Sequence, residues 1–496
     1  VPVFVIQGVM ILNVPSRQEY RLLSRQYDLI PVCREINVDM DTPISIFKKI
    51  SPNGPAYLLE SVEGGENLAR YSFIGFDPFL NFTSKGYDSQ VTSNSGSRTV
   101  SGAPLENLER LVSSFHVYEG GELPRFSGGA VGYLGYGVVQ FFEKVNITRK
   151  NIPDLPDSNF IFAGTVLIFD HARCTLKIVI NSLPGEDPES SYDNAEFRLQ
   201  KVIDAVKRNI APEDNSPGYY PPASFEANMT REDFIKKVER AKEYIKAGDI
   251  LQVVLSQRFR TSFQGEPFNV YRRLRALNPS PYLFYLDFGE VQVVGSSPEM
   301  LVRVEGNTVE TCPIAGTRPR GRDRDTDRVL EAELLDDPKE KAEHLMLVDL
   351  GRNDLGKVCE PGSIKVHRFM EVERFSHVMH LVSNIRGLMS PGKSYTDALR
   401  ACFPAGTVTG APKIRAMEII DELEPDGRGV YAGAIGYLGF TGNLDTAIAI
   451  RTVVIQGGNA YVQAGAGIVA DSNPEREYEE TINKARALLN TIGEAE

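Results

Sequence analysis

Strand-like runs in this chain arrive in consecutive groups. "GAIGYLGF", "LDTAIAIRTVVI" and "NAYVQAGAGIV" follow one another from 433 to 469, separated only by turn residues. Short apolar runs such as "AYLLESV" and "FIFAGTVLIFD" do the same in the N-terminal half. Helical patterns lie between the groups rather than after each strand. A regular βαβ winding would alternate the two, so the order predicts α+β architecture: layered antiparallel sheets with flanking helices. Two Gly-rich segments echo each other, "GAVGYLGYG" at 129–137 and "GAIGYLGFTG" at 433–442. The echo fits either related halves that each give a strand to a shared core, or two buried strands that converged.

The seam between the groups is "NIAPEDNSPGYYPPASFEANMT", rich in Pro and Asn and without periodicity. It divides the chain into an N-terminal extension (1–19), an N-terminal domain (20–208), a linker (209–229) and a second domain (230–496). Beyond the seam, "TREDFIKKVERAKEYIKAGD" reads as an amphipathic helix capped by Thr230 and stopped by Gly248. The strand "ILQVVLSQRFR" follows it directly. An acid- and Lys-rich helix is expected around Asp336–Leu350, one opened by Pro412, and a closing helix in "NPEREYEETINKARALLN".

A formal charge of -12 argues against a nucleic-acid or anionic-membrane surface. No apolar run approaches the roughly 18–20 residues of a membrane span. The opening apolar stretch lacks the basic residues of a signal peptide. Five scattered cysteines without a C-x-x-C pair predict a reduced, cytoplasmic setting.

Several motifs bear on chemistry. "TCPIAGTRPRGR" (311–322) is a basic Gly/Pro loop that looks built for an anion, yet it centres on the inert methyl of Ala315. "VQAGAGIVAD" resembles a dinucleotide fingerprint, but its helix starts only near Pro474, after the glycines, which excludes that mechanism. Its amides at Gly465, Ala466 and Gly467 remain candidates for close approach to a ligand. "GTVTGAPK" lacks the Lys-Ser/Thr of a phosphate loop, although Thr409–Ala411 before Pro412 are placed to offer amides to an anion. Glu340 with Glu343, and Glu477 with Glu480, each share a helix face at i,i+3 spacing. Together they suit Mg2+ if the helices meet, and spacing does not decide that. His377 and His380 match no zinc pattern and read as structural. Glu299, after a strand and a turn-prone Ser-Ser-Pro, is a candidate general acid.

Taken together, "GSSPEML", "PIAGTRPRG", "KAEHLMLVDLGRNDLGKV", "SHVMHLVSNIRG", "FPAGTVTGAPKIRAMEIIDELEP", "YAGAIGYLG" and "AIAIRT" resemble the chorismate-utilising enzymes. The resemblance covers the region after the seam and extends more loosely to "LLESVEGGENLARYSFIG". It implies two intertwined subdomains, with Mg2+ held by Glu343 and Glu480 and supported by Glu340 and Glu477. It implies chorismate contacts at Gly316, Thr317, Thr407, Tyr431, Arg451 and the amides of Gly465, Ala466 and Gly467. Glu299 matches the acid that protonates the departing C4 hydroxyl, and His380 the histidine tied to pyruvate loss.

Two positions separate the branches. Water-using relatives carry a Lys base where this chain has Gln252, and the aminodeoxychorismate branch carries a nucleophilic Lys in place of Ala315. Neither residue here can play those parts. The expected reaction is therefore direct attack by ammonia, giving anthranilate and pyruvate. The resemblance further implies a tryptophan inhibitor site at Ser61, Pro281, Tyr282 and Leu283, and a separate glutamine amidotransferase subunit in a heterotetramer. The alternatives are aminodeoxychorismate synthesis and a non-catalytic tryptophan sensor.

Overall fold

A computed structural model describes residues 15–61, 70–120, 123–148, 154–209, 224–375 and 378–493, with the backbone of 4–6 and 9–11. Two antiparallel sheets pack face to face. The first runs from Ile30–Asn37 through Thr175–Ser182, Ser158–Asp170, Tyr71–Lys85, Ala56–Glu60, Tyr282–Asp287 and Val291–Ser297. It continues to Thr452–Gln456, Asn459–Ile468 and Gln252–Ser262. The second runs from Gly96–Ser101 and Asp88–Ser93 through the same Tyr71–Lys85 and Ser158–Asp170 to Gly129–Leu134. It continues through Ala434–Gly439, Leu444–Ile448, Met300–Glu305 and Thr308–Thr311 to Val378–Leu388.

The two long strands shared by both sheets form the corner. Their register shifts between Pro78 and Leu80, beside Asp77 at φ 50°. A bulge there bends the pair and lets one pair of strands serve both layers. Alternation does the rest: Tyr57, Phe73, Val293 and Val454 of the first sheet face Val131, Tyr133, Ile435 and Tyr437 of the second. The opposite side chains of each sheet (Leu58 and Ile74, or Leu134 and Phe162) meet helices. Helices Pro474–Leu489 and Lys413–Leu423 lie on the first sheet, the latter against Gln252–Ser262, while Pro338–Gly356 lies on the second.

Local signals form these elements as expected. Helix Arg231–Ala247 has Thr230 Oγ1 accepting from the Asp233 N–H (3.1 Å), and it ends on Gly248 at φ 83°. Its Phe234, Val238 and Ala241 form the buried stripe. The Gly-rich echo resolves into partners: Gly129–Leu134 and Ala434–Gly439 pair with each other, Gly132 opposite Gly436. A Cβ on Gly132 would lie 1.9 Å from the Asn159 carbonyl oxygen, so only glycine fits.

The acid- and Lys-rich helix expected around Asp336–Leu350 is Pro338–Gly356, capped by Asp337 ahead of a proline and preceded by a separate helix, Arg324–Asp336. Two expectations change. The boundary at 20 falls inside helix Arg17–Leu23, which a Ser16–Glu19 capping box opens and whose Tyr20 is buried. The linker (209–229) is shorter at its end, since Glu226–Ala227 already pairs with Phe259 and Arg260. Most of the linker, the segment 62–69 and His377 lie outside the described residues.

Candidate functional site

Glu299 sits between Val291–Ser297 and Met300–Glu305, where Pro298 ends one strand and turns the chain into the next. Its backbone is pinned by the Ile448 N–H, 3.1 Å from its carbonyl. The side chain is buried, and burial pushes its carboxyl up to about 8, against the opposing pull of the Thr407 hydroxyl and the Ile314 N–H. Near neutral pH this group is an acid holding its proton. Thr407 Oγ1 points at it without closing a hydrogen bond of ordinary length and has no other partner. The loop carrying Thr407 is fixed from behind by buried Arg428, which donates to Val408 O (2.7 Å), Val254 O (2.8 Å) and Glu424.

The loop "TCPIAGTRPRGR" becomes strand Ile314–Pro319, paired with Val378–Leu388 and bulged between Ala315 and Thr317. Gly316 occupies the bulge at φ 67°, a conformation suited to glycine. Its carbonyl accepts from His380 Nδ1 (2.9 Å), and Thr317 Oγ1 lies 3.1 Å from the same nitrogen. Because a carbonyl only accepts, Nδ1 carries the proton and Nε2 its lone pair. Burial holds the imidazole below its usual range, so it is neutral and can take a proton.

Two of the loop's three arginines, Arg318 and Arg320, are not free for an anion. Arg318 binds Asp337 (2.8 Å) and Glu340 (3.1 Å), and Arg320 binds Asp327 and the Phe375 carbonyl. They shape the turn and anchor Glu340 beside Gly316, where a Cβ would stand 3.1 Å from Glu340 Oε2.

The fold brings the two acid pairs together. Burial raises the Glu343 carboxyl, and the charges of Glu340 and Glu480 raise it further, while Lys339 and the Gln252 amide oppose them. Glu477 is raised by burial and by Glu480, with the Ser472 hydroxyl opposing. Glu480 is paired with Lys484 (2.6 Å), which also donates to Gly465 O (3.0 Å). Mutual repulsion of half-buried carboxylates on two helices is what a divalent cation would relieve. Among the described residues no three ligating side chains close on one point. That donor set fits Mg2+, which takes one or two carboxylates and completes its octahedron with water and substrate oxygens.

Arg451 interrupts what the sequence suggests is one strand. Leu444–Ile448 and Thr452–Gln456 belong to different sheets, and Arg451 turns between them at φ 50°. A non-glycine residue held there is strained, a common mark of functional positions. Its guanidinium feels Tyr431 and Glu480 and, with Arg476, Asn483 and Lys484, borders an opening of about 710 Å3.

Tyr431 stands over Gly465, where a Cβ would be 2.7 Å from its hydroxyl, and Gln252 covers Gly467 in the same way. In the ladder with Gln252–Ser262, the N–H groups of Val254 and Ser256 point away, to Thr409 O and Glu424. Alternation therefore turns the Ala466 amide inward toward Leu255, and the Gly465 and Gly467 amides outward along an edge that Thr452–Gln456 leaves uncovered beyond Val462. Ala466 cannot offer its N–H to a ligand, contrary to expectation, whereas the two glycines can. The amides before Pro412 are also committed: Thr409 N–H goes to Gly406 O, and Gly410–Ala411 pair with Gln252 and Val253.

Far along the same strands, Ser61, Pro281, Tyr282 and Leu283 line one cavity. Its walls are aromatic and aliphatic (Tyr71, Phe73, Ile435), with a charged end. There Asp445 accepts from Tyr282 Oη (2.9 Å), Arg303 (3.0 Å) and Arg125 (3.3 Å), and the Arg125 Nε–H is buried without a partner. Arg303 and Asp445 were legible only as charges interrupting apolar strands, while Lys484 sits at i+4 from Glu480. No sequence signal marks Arg125.

Among the described residues no helix is long and apolar enough to cross a membrane. A family profile described as chorismate binding enzyme matches residues 54–490. Anthranilate synthase component 1 of Acetivibrio thermocellus is 49% identical over 487 residues, covering 97% of this chain and 99% of that one. The same component of Aquifex aeolicus is 47% identical, covering 98% and 99%. The crystal structure of anthranilate synthase component I from Streptococcus pneumoniae superposes with a TM-score of 0.78 at 39% identity, covering 92% of this chain and 99% of that one. The menaquinone-specific isochorismate synthase of Escherichia coli shares the fold, with a TM-score of 0.69 at 21% identity, covering 96% and 98%. Matched by that profile over residues 54–490 and by relatives 47–49% identical over nearly its whole length, the chain belongs to the chorismate-binding enzyme family.

Proposed function

We propose that the protein is the chorismate-using subunit of an anthranilate synthase, converting chorismate and ammonia to anthranilate, pyruvate and water. The observation that carries this reading is a buried, protonated Glu299 beside a strand bulge at Gly316 whose preceding residue, Ala315, has no nucleophile. Near-full-length relatives named anthranilate synthase component 1 support the same choice.

Arg451 offers a fork to one substrate carboxylate, and the outward amides of Gly465 and Gly467 offer donors to the other. Glu343 and Glu480 would hold Mg2+, which when bound supplies a charge to hold the ring carboxylate and offset developing negative charge. Glu299 gives its proton to the C4 hydroxyl as ammonia attacks C2, and the bond to the leaving oxygen breaks. His380, neutral with Nε2 free, is the group suited to take the C2 proton as enolpyruvate departs. Gln252 covers Gly467 without being able to act as a base, which leaves water inactive as a nucleophile.

The aromatic cavity with its Arg125–Asp445–Arg303 end suits an amino acid with a large flat side chain, and tryptophan as feedback inhibitor fits it. Ammonia is proposed to come from a separate glutamine amidotransferase subunit. Chorismate with ammonium, with and without Mg2+ and tryptophan, followed by anthranilate fluorescence, tests this reading. Accumulation of aminodeoxychorismate without fluorescence would refute it.

A further inference from the structure

A second cavity borders Glu299, and neither Gly316 nor His380 is among its lining residues. It leaves about 40 Å3 for the centres of water-sized spheres, and its walls include Glu299, Thr407, Thr311, Leu350 and Asp354. Apolar cavities stay dry, but this one is edged by a carboxyl, two hydroxyls and a carboxylate, and has room for about two or three waters. Thr407 Oγ1 is buried there without a hydrogen-bond partner, a state that costs free energy unless water supplies one. Asp354, itself buried, closes the far end. Its Oδ2 accepts from Lys413 (2.8 Å), which is also buried, and its Oδ1 from Lys357 (3.3 Å), whose side chain is half exposed. The cavity thus runs from the candidate acid to a carboxylate whose other face meets a solvent-exposed ammonium.

Resting on the anthranilate reading, the chemistry sets a need that this arrangement meets. In each turnover the C2–N bond forms, the C4–O bond breaks, and the Glu299 proton leaves with the oxygen as water. The surplus proton of the added ammonia leaves the new C2 ammonium for solvent on the substrate side. Glu299 is then a carboxylate and must regain a proton, while ligand occupies the site by the bulge.

We propose that the cavity bordering Glu299 is a proton-return route, a file of waters from the Lys357 surface that Asp354 orients and Thr407 completes at the inner end. A bulk acid gives a proton to the outermost water, each water passes one inward, and the innermost protonates Glu299. Asp354 is a positioning residue: it accepts hydrogen bonds from the file and touches no substrate. The charged and titratable groups facing it are Lys357 on its own helix, Lys413 on the neighbouring helix and the Cys402 thiol; Cys312 is the thiol that feels Glu299.

Resting Glu299 already holds a proton, so the first turnover and the later ones separate. The test uses Asp354→Asn and, because that change strips Lys413 of a counter-charge and can impair folding, also Leu350→Phe, which fills the cavity with apolar bulk. Stopped-flow anthranilate fluorescence with chorismate, Mg2+ and ammonium is expected to show one product per site at the parent rate. A steady state about tenfold slower should follow, with a larger solvent deuterium isotope effect. A burst and steady state that fall together indicate a structural role and overturn the proposal, as does parental behaviour in both phases. If Asp354→Asn does not fold, Leu350→Phe decides. A parent protein that makes no anthranilate refutes the functional reading itself, whereas a working parent with unaltered variants refutes only the proton route.

Discussion

Replacing Glu299 by Gln should make the protein more stable and nearly inactive at once. The carboxyl is buried and its pKa lies at about 8 instead of the ordinary 4.5. At pH 7 the folded protein holds this proton and the unfolded chain does not, so folding must take one up. Each pH unit of that interval is worth about 1.4 kcal/mol, and the interval from 4.5 to 7 gives a cost of roughly 3 kcal/mol. The sign follows from the raised folded value. The stability is fully present below about pH 4.5, declines as pH rises toward 8, and is level above.

Gln keeps the shape and an acceptor for the Ile314 N–H but does not ionise. Its advantage over the parent should be near zero at pH 4.5 and grow to about 3 kcal/mol at pH 7. An amide N–H left unpaired would reduce it by about 1–3 kcal/mol. Turnover should fall about a hundred- to ten-thousandfold with loss of the general acid. Urea melts of both proteins at several pH values, with anthranilate fluorescence alongside, measure both effects. The reasoning is refuted if the stability gap is the same at every pH, or if it opens as pH falls. The parent's kcat should also decline as pH rises past about 8, where Glu299 loses its proton.

Glu480→Ala should abolish Mg2+-dependent turnover while the thermal melt changes by little, since the side chain is half exposed; retained Mg2+ activation would rule out the metal assignment. Ser61→Phe should fill the aromatic cavity and remove tryptophan inhibition and calorimetric binding, leaving anthranilate formation near the parent rate; unchanged inhibition would place the regulator elsewhere. Ala315→Lys puts an amine at the bulge. It is expected to cut anthranilate formation and yield a protein adduct of chorismate less water by intact mass; no adduct would mean the position does not face C2.

The parts of the fold carried by local pattern were legible in the sequence. The capped helix after Thr230 and the strands Ala434–Gly439 and Asn459–Ile468 lie within a residue or two of expectation, because periodicity and turn residues act over short distances. The meeting of Glu343 with Glu480 was not, because two helices separated by more than a hundred residues converge only through sheet packing. Arg451 shows the same limit: an apolar run gives no sign that its middle turns from one sheet to the other. The loop 311–322 looks like free positive charge when met as a sequence. Arg318 and Arg320 instead shape it, because Asp337, Glu340 and Asp327 arrive from the following segments.

The pairing of Gly129–Leu134 with Ala434–Gly439, and of Ala56–Glu60 with Tyr282–Asp287, has a consequence for how this enzyme could be trimmed. Each half lends the other a strand, so a chain cut down to residues 230–496 would bare two long apolar edges at the centre of its sheets. Such edges recruit any strand within reach, including those of another copy. The portion that would sense tryptophan is therefore no detachable module. A deregulated version has to be reached by altering side chains in the cavity, not by shortening the gene.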